Sequence, residues 1–152
     1  LILLGDYIDR GPESKKVLEK IFGMQQYIGN ENLVVLRGNH EDWLLDFLNG
    51  KGHEWLVGDE DFNTTKTFLT EEQLEKVKEI ATTGKANIIC SYIRTCIKTN
   101  YKELISWLSK LPYYYETENQ IFVHAGIDED AEDLWKFGTP EYVFTGKYPA
   151  TT

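Results

Sequence analysis

The sequence predicts an α/β (α+β) domain, and three observations carry that prediction. In the first third of the chain, short apolar runs at residues 1–4 and 33–36 each lead into a polar loop and then a stretch of helical periodicity. A longer middle stretch carries helix start and stop signals, and a hairpin pattern follows it. The composition, 41% hydrophobic and 27% charged over 152 residues, supports a buried core and excludes a disordered chain or a small disulfide framework.

Leu1, Ile2, Leu3 and Leu4 form a continuous apolar run closed by Gly5 and Asp6, the pattern of a strand buried on both faces. Gly11-Pro12 is expected to open the first helix, with Pro at its first position, where a missing N–H costs nothing. Val17, Ile21, Met24 and Ile28 recur at helical spacing beside Leu18 and Phe22, and Gly29 is placed to end the helix. Leu33-Val34-Val35-Leu36 is the second strand, running into Arg37-Gly38-Asn39-His40. The next helix is expected to carry Trp43, Leu44, Phe47 and Leu48 on one side.

Residues 50–111 read as a mostly helical insertion within one domain spanning residues 1–152. Its beginning, residues 51–63, reads as an acidic loop. Thr70-Glu71-Glu72-Gln73 is a capping box, with Leu69 and Leu74 as the hydrophobic staple of a helix to about Ala81. Residues 86–98 mix β-branched side chains with Cys90 and Cys96 and are assigned as helix. Another helix is expected to start at Asn100, bury Leu104, Trp107, Leu108 and Leu111, and stop at Pro112. Residues 113–116 and 120–124 read as a hairpin around Glu118-Asn119, and residues 139–152 as a loop.

Sixteen basic against 25 acidic side chains leave a net charge of −9, a poor electrostatic match for nucleic acid or anionic lipid. No apolar run approaches the ~18 residues of a membrane span. Cys90 and Cys96 are spaced as neither a CxxC pair nor a zinc set; they read as free thiols of a reducing compartment, so a cytoplasmic protein is expected. Neither nucleic acid nor a membrane is expected as a partner on these grounds.

Three polar clusters each follow an apolar strand: Gly5 to Gly11, Gly38 to Asp42, and His124-Ala125-Gly126. Ligand sites of open α/β sheets lie at the carboxyl ends of strands, so neighbouring strands would bring the clusters to one edge. Asp6, Asp9, Arg10, Asn39, His40 and His124 then form a mixture of oxygen and imidazole ligands with one guanidinium. Mn²⁺, Fe²⁺ and Zn²⁺ accept such donors, and a pair of these ions activates water for phosphate-ester hydrolysis. Arg10 strengthens the phosphoryl reading, because its planar fork matches phosphate oxygens. His40 suits protonation of a leaving alkoxide, with a carboxylate such as Asp9 fixing its tautomer.

At these clusters the chain resembles the phosphoprotein phosphatase family of binuclear, calcineurin-like metallophosphoesterases. Gly5-Asp6-Tyr7-Ile8-Asp9-Arg10-Gly11 matches its GDxxDRG motif, Gly38-Asn39-His40-Glu41 its GNHE motif, and His124-Ala125-Gly126 the HAG form of its bacterial serine/threonine branch. The resemblance implies a β-sandwich of mixed sheets flanked by helices. It implies that Asp6, Asn39 and His124 are metal ligands, that Arg10 grips phosphate beside Asn39, and that His40 is the general acid held by Asp9. It further implies two divalent ions, Mn²⁺ first with Fe²⁺ or Zn²⁺ as alternatives, and hydrolysis of phosphate monoesters, phosphoserine and phosphothreonine in proteins above all, by metal-activated water. The GDxHG motif and the later histidines of the family pattern do not occur between Leu1 and Thr152, so the chain is expected to be a piece of the complete fold.

Two other functions share these motifs: symmetrical diadenosine-tetraphosphate hydrolysis, and a non-catalytic module that binds a phosphorylated ligand. Several residues also admit plainer readings. Asn39 is a favoured helix cap, which is compatible with metal binding, and His124 alone would suit a core position. Tyr113-Tyr114-Tyr115 reads as strand in preference to a base-stacking platform. The acidic residues 128–133 read as a solvated loop and helix start, lacking the spacing of a calcium loop. Lys136, following Trp135, is a candidate to approach the phosphate.

Overall fold

A computed structural model of the chain describes residues 1–146. Strand β1 (Ile2–Leu3) pairs in parallel with β2 (Val34–Val35), in the register Ile2 to Val34 and Leu3 to Val35. The crossover between them is helix α1 (Ser14–Ile28), and α2 (Asn39–Leu48) leaves β2 after a single turn of loop. Both strands therefore end at the same edge, where their loops meet.

Helix α1 starts two residues later than Pro12, with Glu13 at its cap position, and Gly29 at φ 86° ends it. Its buried face also differs from the expected stripe. Leu18 and Ile21 are buried, while Val17 and Met24 are exposed. The helix is turned so that Gln25 faces inward, donating to the Leu33 carbonyl at 2.8 Å and accepting from the Trp107 indole at 2.7 Å. Two polar bonds to neighbouring elements thus set the rotation that apolar spacing alone left ambiguous.

Helix α2 buries Leu44, Phe47 and Leu48, but Trp43 lies 47% exposed, against expectation. The segment expected as an acidic loop instead forms α3 (His53–Gly58) and a 3-10 turn, Glu60–Phe62. Trp55 explains the order: its buried ring packs 5.2 Å from Phe47 and anchors the segment on α2.

Next come α4 (Thr65–Phe68), α5 (Glu71–Ala81), α6 (Ala86–Asn100) and α7 (Lys102–Leu108). Thr70 and Gln73 make the reciprocal capping-box bonds of α5 at 3.2 and 3.1 Å. Asn100 is the last residue of α6, not the cap of α7. The break falls at Tyr101, whose ring packs edge-on against Phe68, so a tertiary contact decides the boundary. Cys90 and Cys96 are buried free thiols on α6, beside Ile93 and Ile97. These helices share one apolar core with α1 and α2, centred on Leu18, Leu44, Phe47, Phe68, Ile97 and Leu108.

Strands β3 (Tyr114–Glu116) and β4 (Ile121–Val123) form the expected hairpin, as a two-stranded antiparallel sheet separate from β1–β2. A 3-10 segment (Glu129–Leu134), α8 (Trp135–Gly138) and α9 (Glu141–Thr145) follow. Tyr113, Tyr114, Trp135 and Phe144 form an aromatic cluster with centroids 4.8–6.5 Å apart, which packs α8 and α9 onto the hairpin. Helix α9 thus replaces the first half of the expected loop over 139–152; the remainder, residues 147–152, lies outside the described residues.

Candidate active site

The loop after β1 is an unusual stretch of backbone. Gly5 has φ 101°, and Asp6, Asp9 and Arg10 have φ of 60°, 67° and 58°. The left-handed region costs an L-residue roughly 1–2 kcal/mol, so three non-glycine residues there need strong external support. Glu41 supplies much of it. Its fully buried carboxylate accepts from the amides of Asp6 and Gly38 at 2.8 and 2.9 Å through Oε2, and from Tyr7 at 2.8 Å through Oε1. Burial pushes this carboxyl above its ordinary pKa range, while the three amides pull the other way.

Tyr7 makes a second rivet. Its hydroxyl accepts from the Gly5 amide and donates to the Leu36 carbonyl, both at 2.8 Å, joining the ends of β1 and β2. Burial keeps this phenol protonated far up the alkaline range. Glycine is required at two points of closest approach. A Cβ on Gly5 would lie 2.5 Å from the Gly38 nitrogen, and one on Gly38 would lie 2.5 Å from both the nitrogen and Oδ1 of Asp6.

Asp6 comes from the loop after β1 and Asn39 is the first residue of α2, and His124 joins them across the gap between the sheets. His124 Nδ1 lies 2.7 Å from the Leu4 carbonyl, so it must carry the proton, since a carbonyl only accepts. In the neutral ring Nε2 then holds a lone pair, aimed at Asn39 Oδ1 at 3.0 Å and Asp6 Oδ1 at 3.4 Å. With the ring neutral, imidazole nitrogen, amide oxygen and carboxylate oxygen converge as three lone-pair donors. Three Lewis bases so arranged fit a divalent cation, and the carbonyl behind His124 is the kind of outer partner that orients a ligating histidine. Among the described residues no three His, Cys, Asp or Glu side chains cluster as a metal cage; the amide of Asn39 is the third donor here.

Beside this cluster stands His40. Its Nδ1 lies 2.6 Å from Asp9 Oδ2, and its Nε2 lies 3.9 Å from Asp6 Oδ2. Asp9 is itself held by the Trp55 indole on Oδ2 at 3.1 Å and by the Thr64 hydroxyl on Oδ1 at 2.5 Å. Buried Ser14 completes the support, accepting from the Asp9 amide and lying 3.2 Å from the Thr64 hydroxyl. The imidazole is therefore fixed in orientation, with Nδ1 toward Asp9 and Nε2 toward the donor cluster.

Arg10 is exposed and lines two adjoining cavities, of about 670 and 1470 Å³. The larger contains Asp6, Asn39 and His124; His40, Trp43 and Asp46 line both. All six residues singled out by sequence thus border one region. Lys136 does not: its ammonium pairs with Glu116 of β3, which raises its pKa. Sequence reasoning missed the loop-clamping role of Glu41 and the support of Asp9 by Ser14, Trp55 and Thr64. For Glu41 the signal was its place within GNHE; Trp55 and Thr64 carried none, being remote from Asp9 along the chain.

A family model for calcineurin-like phosphoesterases matches residues 1–146. The chain belongs to that family, and its class of activity is metal-dependent phosphoester hydrolysis. Searches of curated proteins and of solved structures found no significant match.

Proposed function

We propose that this protein is a phosphomonoesterase of the serine/threonine phosphatase type, acting on phosphoserine and phosphothreonine in proteins, with Mn²⁺ as the working metal. The observation that carries the reading is the juxtaposition of the Asp6, Asn39 and His124 donors with the Asp9–His40 pair, His40 Nε2 being 3.9 Å from Asp6 Oδ2. Asp6, Asn39 and His124 would hold the divalent metal, which would supply Lewis acidity to the attacking water and to the phosphate oxygens. Arg10, on the wall shared by both cavities, engages the phosphate oxygens. Protonated His40 donates its Nε2 proton to the departing alkoxide. Asp9 holds the Nδ1 proton throughout and stabilises the imidazolium before transfer. The two small sheets are read as part of a β-sandwich, and a cytoplasmic setting agrees with two buried free thiols.

The test is hydrolysis of p-nitrophenyl phosphate by the full-length protein with and without Mn²⁺, beside its Asp6→Asn variant. Metal-dependent turnover lost in the variant is expected. Wild-type turnover by Asp6→Asn would refute the metal assignment, and metal binding without turnover in the parent would point to a phospho-ligand-binding module. Diadenosine tetraphosphate, assayed in parallel, separates the dinucleotide hydrolase from the protein phosphatase.

A further inference from the structure

Building on the phosphatase reading, we propose that the smaller cavity receives the alcohol side of the substrate and selects a peptide segment carrying Lys or Arg next to the phosphorylated residue. Its position follows from His40. The group that protonates the leaving oxygen must touch that oxygen, and His40 lines this cavity of about 670 Å³ as well as the larger one holding the metal donors. With phosphate drawn toward Asp6, Asn39 and His124, the rest of the ester extends past His40. The smaller cavity lies there and contains none of those three donors.

Its chemistry follows from the walls. Five carboxylates line the cavity against the single guanidinium of Arg10. Asp9 is engaged by three side chains, and Asp59 accepts from the Thr64 and Thr65 amides at 2.7 and 2.8 Å. That leaves Asp46, Glu54 and Glu60, exposed side chains for which no salt bridge occurs among the described residues. Trp43, 47% exposed, adds aromatic surface, which attracts ammonium and guanidinium groups through the ring quadrupole. Carboxylates and an exposed indole around one partly enclosed space suit a cation, and the carboxylates repel the further phosphates of a dinucleotide polyphosphate.

The experiment compares kcat/KM of the Mn²⁺-loaded full-length protein on two phosphoserine peptides of equal length, one with Arg and Lys flanking the phosphoserine and one with Glu. The basic peptide is expected to be preferred about tenfold or more at low salt, with the preference shrinking as ionic strength rises. In Glu54→Gln/Glu60→Gln, and separately in Asp46→Asn, the preference is expected to fall to about threefold or less. Each preference is a ratio measured on one protein sample, so partial loss of folded material cancels. Equal kcat/KM for the two peptides, or a preference undiminished in both variants, overturns the inference while p-nitrophenyl phosphate hydrolysis still upholds the phosphatase reading. Failure to hydrolyse p-nitrophenyl phosphate overturns both.

Discussion

His40 and Glu41 are adjacent in sequence, yet they do different work. The imidazole faces the cavities and is aimed by Asp9, whereas the carboxylate is turned inward and holds backbone. Replacing His40 by Asn removes the proton donor but no ligand of the Asp6, Asn39 and His124 set. Turnover is expected to fall about 10²–10⁴-fold with bound metal retained; metal analysis of the variant showing an empty protein would make His40 a ligand instead. Glu41→Ala leaves three amides without their acceptor, so a loss of about 3 kcal/mol or more is expected in urea unfolding. Stability within about 0.5 kcal/mol of the parent, the range typical of neutral surface changes, would show that the loop does not depend on this carboxylate. Tyr7 gives a pH signature. Its phenol ionises near 10 when unfolded and higher when folded, so its contribution is complete below about pH 10 and is lost as pH rises beyond that. Alkaline titration of stability in Tyr7→Phe should accordingly show a shallower decline above about pH 10 than the parent, from a lower starting value.

At the scale of elements, the loops after β1 and β2 form one unit because two glycines let them touch. Gly5→Ala would set a Cβ against the Gly38 backbone and force φ 101° on a residue that avoids it. A loss above about 2 kcal/mol, together with weakened metal binding, is expected. Gly23 is the contrasting case. It lies exposed within α1, with nothing within 4 Å of the point an added methyl group would occupy, so Gly23→Ala should raise stability by about 0.5–1 kcal/mol. Thermal melts of the two variants should move in opposite directions; equal losses would mean that the loop contact is no tighter than a helix surface. The capping box of α5 and the Gly29 stop of α1 were legible in sequence because each is local: the partners sit within three or four residues. The start of α7 and the rotation of α1 were not, since Phe68 and Trp107 decide them from other parts of the chain.

For the whole molecule, the arrangement matters more than any single element. The site draws Asp6 and Asn39 from the ends of the parallel strands and His124 from beyond the hairpin, and the bonds that join these parts include His124 Nδ1 to the Leu4 carbonyl at 2.7 Å and the Arg37 amide to the Pro112 carbonyl at 3.0 Å. A cation shared by all three donors would tie those parts together. Saturating Mn²⁺ at about 100 times its dissociation constant should therefore stabilise the fold by about 2.7 kcal/mol. The gain, read as a rise in Tm, should disappear with chelator and in Asp6→Asn; an equal rise in that variant would mean that the ion binds elsewhere.

What the sequence by itself determined is the chemistry and the local punctuation. Residue types and spacing in Gly5 to Gly11, Gly38 to Glu41 and His124 to Gly126 singled out six residues, and apolar runs and caps marked the five longest helices and the four strands among the described residues, because such signals act over a few neighbours. Tertiary structure alone decided the rest. It seated the hairpin in a sheet separate from the parallel pair yet brought His124 within 3.4 Å of Asp6. It also surrounded Asp9 with Thr64 and Trp55 and ordered residues 53–62 against α2 to close one wall of the smaller cavity. Those contacts join residues far apart in the chain, and their energy exists only once the core has packed and excluded water from between them.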